Sequence, residues 1–306
     1  MFSFSTCWNS GSHTDGEAMM NEIRALGFST VELSHGIRLS LVEGIERAIS
    51  KDPQFRVSSL HNFCPLPVGF LHAAPNAYLL SATTENERQK AIRHTMTTLD
   101  FAAKMKARFV VLHFGSVPMG DYTGDLVKLI CEGQRDTPKY KKLLEKSLAK
   151  RKAKGAKPFA QSMKSLEVLA KAAGERGIRL GIESRYRLEE IPTEDEFDEI
   201  FRTFPAAQVG YWHDTGHSQT WHNLGITDHV QWLKKFEPRI IGCHLHDLTH
   251  PNHDHQIPGD GMVPFDQLTA LHRPDVLKVF EFEPGMPADA LKTRLPPFMS
   301  SFETTR

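Results

Sequence analysis

Three side chains that can bind metals or carry protons stand close together in the segment GYWHDTGHSQT, residues 210–220. They are His213, Asp214 and His217, and they come at the end of a short apolar run. Such a group fits a solvated loop, a set of hydrogen-bonded core residues or the edge of a metal site. The residues at the ends of the other apolar runs decide between these interpretations.

Ligand-type residues also stand at the ends of most other short apolar runs. They are His61, His113, Glu183, Asp214, His244 and Glu281. One such residue is usually a hydrogen-bonded structural group, but six at equivalent positions favour a shared role. Carboxylates and imidazoles gathered in one place repel one another or lack partners unless a cation lies among them. The sequence therefore predicts a divalent-metal site.

The elements that would position these residues are short apolar, β-branched runs that alternate with longer amphipathic segments. The predicted strands are residues 2–6, 29–33, 56–61, 108–113, 178–183, 208–213, 239–245 and 277–282. Eight strand-then-helix units predict an α/β fold, a closed (β/α)8 TIM barrel whose strand ends converge on one face. We expect a single domain over residues 1–306, with a helical insertion after the fourth strand at about 119–158. A doubly wound open sheet is the alternative, but its usual glycine-rich phosphate loop follows none of the strands.

The amino-acid composition limits the classes of protein to which this chain can belong. Hydrophobic residues at 40% and charged residues at 24% are typical of a globular chain. Thirty-seven basic and thirty-seven acidic side chains cancel, so no global field draws the protein to nucleic acid or to an anionic membrane. The first residues show no secretory signal and no run approaches the roughly 20 apolar residues of a membrane span, so we expect a cytoplasmic protein without membrane contact.

The cysteines are too far apart for a disulfide framework or a zinc knuckle, and they predict buried free thiols. They are Cys7, Cys64, Cys131 and Cys243. Histidine is the unusual residue of this chain, because nine of the 16 histidines fall between His213 and His255.

Some of these histidines have more than one interpretation. His213 precedes Asp214 in the strand and by alternation faces away from it, which predicts a packed or supporting residue. His244 and His246 share a face, so either fits the site. The loop HPNHDHQIPGDGMVPF, residues 250–265, is either a polar loop with glycine turns or a source of His253 or His255 for the site.

Aromatic and basic residues leave further alternatives open. Four aromatic residues near strand ends predict either core packing or an apolar wall of the pocket: Trp8, Phe63, Trp212 and Trp221. Residues 139–158 carry nine Lys or Arg and one Glu. An apolar helical stripe within this segment favours a solvated lid helix over a phosphate or nucleic-acid contact.

The motifs resemble the xylose isomerase-like TIM barrels, a superfamily of sugar isomerases, epimerases and endonuclease IV-type apurinic endonucleases. The resemblance covers the third to the eighth strand and rests on SLHN, VLHFGS, GIESRYRLEEIP, HDTGH, HLHD, HDHQIPGDG and VFEFEP. For the isomerase and epimerase branch it implies one catalytic divalent ion, held by Glu183, Asp214, His244 and Glu281. Three carboxylates and one imidazole favour Mn²⁺ or Mg²⁺, with Zn²⁺ and Co²⁺ as alternatives, and we expect Mn²⁺.

The resemblance also implies roles for the residues around such an ion. Enzymes of this kind bind a hydroxy-ketone, and Glu183 and Glu281 would exchange its proton through an enediolate. His217 and His255 would hydrogen-bond the substrate oxygens. Arg185 either anchors a substrate carboxylate or phosphate, or pairs with a neighbouring acid, Glu189 or Glu190.

The endonuclease branch implies further zinc ions, because several histidines match the positions that hold them. The further candidate ligands are His61, His113, His217, His253 and His255; in the one-metal interpretation His61 and His113 would contact substrate. Where that branch has Asp-x-His, this chain has His253-Asp254-His255, and Ser184 stands where both branches often carry Asn or Thr. The departure at residues 253–255, the motif GIESRYRLEEIP and the zero net charge favour a small carbohydrate substrate over a nucleic acid. A lyase, a dehydratase or a non-enzymatic metal binder on the same scaffold stays an alternative.

Overall fold

Eight parallel strands close into a barrel, as the sequence predicts. The computed structural model describes residues 1–304. The barrel strands are β1 Phe2–Ser5, β2 Thr30–Leu33, β3 Arg56–His61, β4 Phe109–Leu112, β5 Arg179–Glu183, β6 Val209–Asp214, β7 Ile240–Leu245 and, after two short strands outside the barrel, β10 Leu277–Phe280. Each pairs in parallel with its neighbour, and β10 pairs with β1 to complete the ring. The predicted strands are confirmed, with bounds that differ by up to two residues.

Helices connect the strands. Within residues 1–304 they are α1 Gly16–Ala25, α2 Leu39–Lys51, α3 Glu85–Lys104, α4 Tyr122–Cys131, α5 Pro138–Glu175, α6 Glu194–Thr203, α7 Thr215–Asn223, α8 His229–Phe236 and α9 Ala288–Thr304. In α1, the Asp15 carboxylate accepts the N–H of Ala18 and so caps the first turn, while Met19 and Ile23 are fully buried. The main core lies where such apolar helix faces meet the strands.

The connection between β4 and β5 holds α4 and the long helix α5. The predicted insertion ends at about residue 158, whereas α5 runs through Pro158 to Glu175. Part of the predicted apolar stripe is buried, because Tyr140 is 3% exposed and its hydroxyl donates to the Leu224 carbonyl at 2.9 Å. Leu148, at 41%, is exposed. The role of this helix as a lid and the assignment of the chain to one domain stay predictions.

Aromatic packing fills the barrel interior. Trp212 is fully buried, and a Cβ at Gly181 or Gly242 would lie 2.9 or 2.3 Å from its indole ring, so these two positions admit only glycine beside the ring. All four aromatic residues with an open interpretation are core residues, at most 5% exposed: Trp8, Phe63, Trp212 and Trp221. No helix within residues 1–304 is both long enough and apolar enough to cross a bilayer.

An antiparallel hairpin that the sequence did not predict lies between β7 and β10. Its strands are β8 Asp247–Thr249 and β9 His253–Gln256. The buried Asp247 carboxylate accepts the N–H groups of Gly259, Gly261 and Val263 at 2.8 to 3.0 Å, which fixes the loop that follows the hairpin.

The prediction that all four cysteines are buried is wrong for two of them. Cys64 and Cys243 are buried, but Cys131 is exposed because it ends α4 on its solvent side, and Cys7 is half-buried because it lines a cavity above the barrel.

Candidate metal centre

Four predicted ligands meet at the carboxyl ends of the barrel strands. One donor atom from each of Glu183, Asp214, His244 and Glu281 lies within 4.8 Å of the other three, and all four side chains are buried. Glu183 ends β5, Asp214 ends β6, His244 lies in β7 and Glu281 directly follows β10. The barrel therefore brings together side chains that are nearly 100 residues apart in the sequence.

The imidazole of His244 is the centre of this group. Its Nδ1 lies 2.8 Å from Glu183 Oε1, 3.4 Å from Glu281 Oε2 and 3.6 Å from Asp214 Oδ2. Burial alone would lower the pKa of His244, but Glu281 and Glu32 outweigh burial and hold that pKa well above its ordinary value. A positive charge is thus strongly stabilised at this point.

The donor set fits a divalent cation. Three carboxylates and one imidazole nitrogen are ligands that Mn²⁺, Mg²⁺ and Zn²⁺ accept. The structure records no hydrogen bond from a residue of 1–304 to the Glu281 carboxylate, although this side chain is only 4% exposed. A buried carboxylate without a donor is costly unless a cation or another charged partner meets it.

Glu32 is a residue of the site that the sequence prediction missed. It is fully buried in β2, and its Oε1 lies 3.1 Å from His244 Nε2 while its Oε2 accepts the Ser59 hydroxyl at 2.8 Å. A carboxylate that holds the far nitrogen of a ligating histidine fixes the ring and its tautomer. The one available signal is the charged residue within the predicted strand STVEL.

The motif HDTGH explains how β6 and α7 support the centre. Asp214 Oδ1 accepts the N–H of His217 at 2.8 Å, so the same carboxylate caps α7 and faces His244 with its second oxygen. The Thr215 hydroxyl donates to the His246 carbonyl at 2.7 Å. Gly216 is required because a Cβ there would lie 2.3 Å from the His246 ring.

The open question about β7 is answered by distances. His244 is the residue that points into the centre, whereas His246 supports it: its Nε2 lies 3.0 Å from Asp214 Oδ2 and its Nδ1 accepts the N–H of His255 at 2.9 Å. His213 faces away from the centre, as predicted, and contacts the Tyr211 hydroxyl and His229 at 2.8 and 3.0 Å.

His61 and His113 approach the outer oxygen of Glu183. His113 Nε2 lies 2.9 Å and His61 Nε2 3.7 Å from Glu183 Oε2. Arg185 occupies the same side, with Nη1 2.5 Å from this oxygen and Nε 3.0 Å from Glu190 Oε1. Burial would raise the pKa of Glu183, but Arg185 and then His113 outweigh burial and hold it well below its ordinary value.

Arg185 therefore has the paired role that the sequence left open, with Glu190 as its partner. Glu189, the other partner considered, instead accepts the backbone N–H groups of Tyr122 and Thr123 at the start of α4, at 2.7 and 3.1 Å. Because two carboxylates already neutralise the guanidinium, Arg185 is a poor anchor for a substrate phosphate.

His217 and His255 border the cavity over the centre, together with Asp254. One donor atom from each of the three lies within 4.8 Å of the others, and His217 Nε2 is 3.7 Å from Asp254 Oδ2. His255 has a left-handed backbone with φ of 57°, which turns both Asp254 and His255 toward the cavity and breaks the alternation of β9.

His253, a candidate extra ligand from the sequence, does not reach the site. Its side chain is 63% exposed and lies 3.1 Å from Glu283. The irregular backbone at His255 is the reason, because it places Asp254 where regular alternation would have placed His253.

The cavity has a volume of about 360 Å³ and is lined mostly by polar side chains. Besides the predicted residues, its wall includes six that the sequence prediction missed: Cys7, His35, Pro75, Tyr186, Asn252 and Asp254. Cys7 and His35 follow β1 and β2, so the argument from strand ends, had it been extended to the first two strands, would have found them.

Comparisons with known proteins agree with this geometry. Residues 20–293 match the family model of the xylose isomerase-like TIM barrel, and the chain belongs to that family. No curated protein matches the chain in sequence. Among solved structures, a D-tagatose 3-epimerase-like protein superposes with a TM-score of 0.70 at 17% identity, over 98% of this chain and 97% of that one.

Two other solved structures are similar in fold. The 3-keto-D-glucoside 4-epimerase YcjR from E. coli gives a TM-score of 0.67 at 16% identity, over 98% of each chain. An L-ribulose 3-epimerase gives 0.68 at 15% identity, over 99% of this chain and 94% of the other. At these identities the likeness establishes the fold, and the chemistry has to be argued from the side chains.

Proposed function

We propose that the protein is a divalent-metal-dependent isomerase or epimerase that acts on a sugar or a sugar-like hydroxy-ketone, by proton transfer through an enediolate. The observation that carries this proposal is the buried group Glu183, Asp214, His244 and Glu281 beneath a polar cavity. Membership of the xylose isomerase-like family and the fold shared with sugar epimerases support it.

Glu183, Asp214, His244 and Glu281 would hold the cation, and Mn²⁺ suits their predominantly oxygen donors. When bound, the cation polarises the substrate carbonyl and acidifies the neighbouring C–H. Glu32 and His246 keep two of the four ligands in place through the contacts at His244 Nε2 and Asp214 Oδ2.

The two glutamates are the proposed acid–base pair. Glu183 and Glu281 come from different sides of the barrel, so a substrate carbon between them can lose a proton to one carboxylate and regain it from the other. Arg185 keeps Glu183 ionised, which leaves it ready to accept a proton at neutral pH but lowers its strength as a base.

The surrounding histidines would orient the substrate. His217 and His255 are the proposed hydrogen-bond partners of the oxygens that gain charge, and His61 and His113 are proposed to contact the rest of the sugar. All four line the cavity. The apolar side chains Trp8, Phe63, Trp212 and Trp221 are buried elsewhere, which favours a hydroxyl-rich substrate.

The test is metal-dependent exchange of deuterium from heavy water into ketoses and keto-sugars, followed by NMR. Mn²⁺-loaded protein should label a carbon next to the carbonyl, whereas Asp214→Asn should not. Asn is also a good helix cap, so this variant removes the charged ligand and keeps the start of α7. Absence of exchange with every sugar of a broad panel would contradict the proposal.

A multinuclear zinc nuclease of the endonuclease IV type is the second candidate, because two of the further donor groups around the centre contain additional ligands that the sequence predicts for it. These are His61, His113 and Glu183, and His217, Asp254 and His255. Against it, the Arg185 guanidinium lies on Glu183 within the first group and would repel a second cation there. Zinc-dependent cleavage of an abasic-site duplex that is lost in His61→Ala would favour the nuclease.

A further inference from the structure

A separate group of metal-donor atoms lies on the cavity wall, near the carboxyl ends of β1 and β2. Sγ of Cys7 and one donor atom each from His35 and Glu281 lie within 4.8 Å of one another. All three residues line the cavity. Of these, Cys7 and His35 have no part in the function proposed above.

His35 has an unused nitrogen. Its Nδ1 is buried and has no hydrogen-bond partner. The ring packs edge-on against His61, with 4.8 Å between the ring centroids. A buried nitrogen left without a partner costs about 1–3 kcal/mol.

Cys7 is likewise without a side-chain partner. Its backbone N–H donates to the Ser5 hydroxyl, and within residues 1–304 the structure records no hydrogen bond to its sulfur. Within the described residues, the structure records no ion pair between a lysine or an arginine and Glu281, the carboxylate of this group. This contrasts with the group of His61, His113 and Glu183, where Arg185 already supplies a positive charge.

The chemistry of the three donors differs from that of the first centre. Sulfur, imidazole nitrogen and carboxylate oxygen are together a set that zinc-type ions accept, and three protein ligands leave a fourth position open toward the cavity. The first centre offers oxygen and nitrogen donors alone. Hard ions therefore suit the first centre, and thiophilic ions suit the second group.

We propose that Cys7, His35 and Glu281 form a second metal site, which takes a thiophilic divalent cation such as Zn²⁺, Co²⁺ or Cd²⁺ beside the first centre. Glu281 belongs to both groups, so its two oxygens can serve one ion each. The thiol proton is released to solvent when the sulfur binds the cation.

The experiment is a titration of the full-length, reduced protein with Co²⁺, followed by absorption spectroscopy. Thiolate bound to Co²⁺ absorbs strongly in the near ultraviolet, and the first centre contains no sulfur. We expect this absorption to develop with a second equivalent of Co²⁺, to vanish in Cys7→Ser and to weaken at least tenfold in apparent affinity in His35→Gln. Cys131→Ser removes the exposed thiol and is the matched control, which should keep the band.

Asp214→Asn separates this proposal from the proposed function. It should impair the first centre and leave the thiolate absorption in place. Co²⁺ binding by the wild-type protein without thiolate absorption would overturn the second site and leave the first untouched. A band that survives in Cys7→Ser, or that depends on Cys131, would also overturn it. Circular dichroism and thermal unfolding of each variant before the titration verify that it is folded.

Discussion

At the scale of single residues, His244 organises the proposed centre. One ring nitrogen faces three carboxylates and the other is held by Glu32, which is itself held by Ser59. The contacts form a chain from Ser59 through Glu32 to His244 and then to the carboxylates of the centre. The ring orientation is thus set before any ligand arrives, which is what a preorganised metal site requires.

Glu32→Gln tests this support. The amide keeps the size of the side chain but loses the charge that fixes the proton on His244 Nε2. We expect Mn²⁺ affinity to fall about 10- to 100-fold in calorimetric titration. Glu46→Gln, the same change at an exposed position paired with Lys104, is the control and should bind as the wild type does. Equal affinities in all three proteins would show that Glu32 has no positioning role.

A second prediction concerns the buried histidine on the other side of β6. Burial lowers the pKa of His213 from 6.5 to about 3. A depressed folded-state pKa means that the folded protein resists a proton which the unfolded chain accepts. The stability is fully present above pH 6.5 and is lost as the pH falls toward about 3.

In His213→Gln, the free energy of unfolding should lose part of this acid dependence, by up to about 1.4 kcal/mol per pH unit. Urea unfolding between pH 7 and pH 4 measures the slope. Tyr211→Phe removes one of the two hydrogen-bond partners of His213 and keeps the titrating ring, so its slope should stay close to that of the wild type. An unchanged slope in His213→Gln would contradict the prediction.

The convergence of parallel strand ends predicts six candidate residues that include the four central ligands, and the choice of these four follows from the family resemblance. Glu32 was missed because the strand-end argument was not extended to β2, although Glu32 stands one residue before the end of its strand, as His244 does in β7. His253 shows the opposite error. The spacing of His253 suits a ligand. The left-handed backbone at His255, however, turns Asp254 rather than His253 toward the cavity. No pattern in the sequence predicts this backbone conformation.

At the scale of elements, the hairpin of β8 and β9 positions one wall of the cavity. Its geometry depends on Asp247, whose carboxylate collects backbone N–H groups from the loop that follows. Gly261 is required in this loop, because a Cβ there would lie 2.2 Å from the Leu248 carbonyl.

Asp247→Ala should release the hairpin and its loop. Loss of several hydrogen bonds to a buried charge costs about 3 kcal/mol, which should appear in the free energy of unfolding by urea. Limited proteolysis should cut the chain between residues 250 and 262. Asp266→Ala, an exposed position of the same connection, is the matched control. Resistance to proteolysis equal to that of the wild type would show that other contacts hold the loop.

Strands were easier to predict than their connections. The barrel strands are apolar and evenly repeated, whereas β8 and β9 are short and polar and carry no alternating pattern. Proline usually stops a helix, but α5 continues through Pro158 to Glu175. Here Phe159, Leu166 and Leu169 continue the buried face beyond Pro158, and their packing outweighs the lost backbone hydrogen bond.

At the scale of the whole molecule, the proposed metal centre couples metal binding to stability. A cation that binds only the folded protein stabilises it by about 2.7 kcal/mol at 100 times its dissociation constant. Thermal unfolding with increasing Mn²⁺ should therefore show a rising midpoint in the wild type and little change in Asp214→Asn. A midpoint that is independent of Mn²⁺ in the wild type would indicate that no such site exists.

The fold was predictable as a whole because one unit repeats eight times, but the reaction was not. The same barrel carries epimerases of different sugars, and loop residues such as Tyr186, Asn252 and His255 line the cavity of this chain. The position of these loops follows from contacts between distant segments, which local sequence patterns do not contain.

The central claim is that residues from four strand ends share one cation. Anomalous X-ray scattering from crystals grown with Mn²⁺ tests it most directly. The account predicts a strong peak bounded by Glu183, Asp214, His244 and Glu281, and its loss in Asp214→Asn crystals. Diffraction that shows these four side chains in place with no manganese between them, at saturating Mn²⁺, would contradict it.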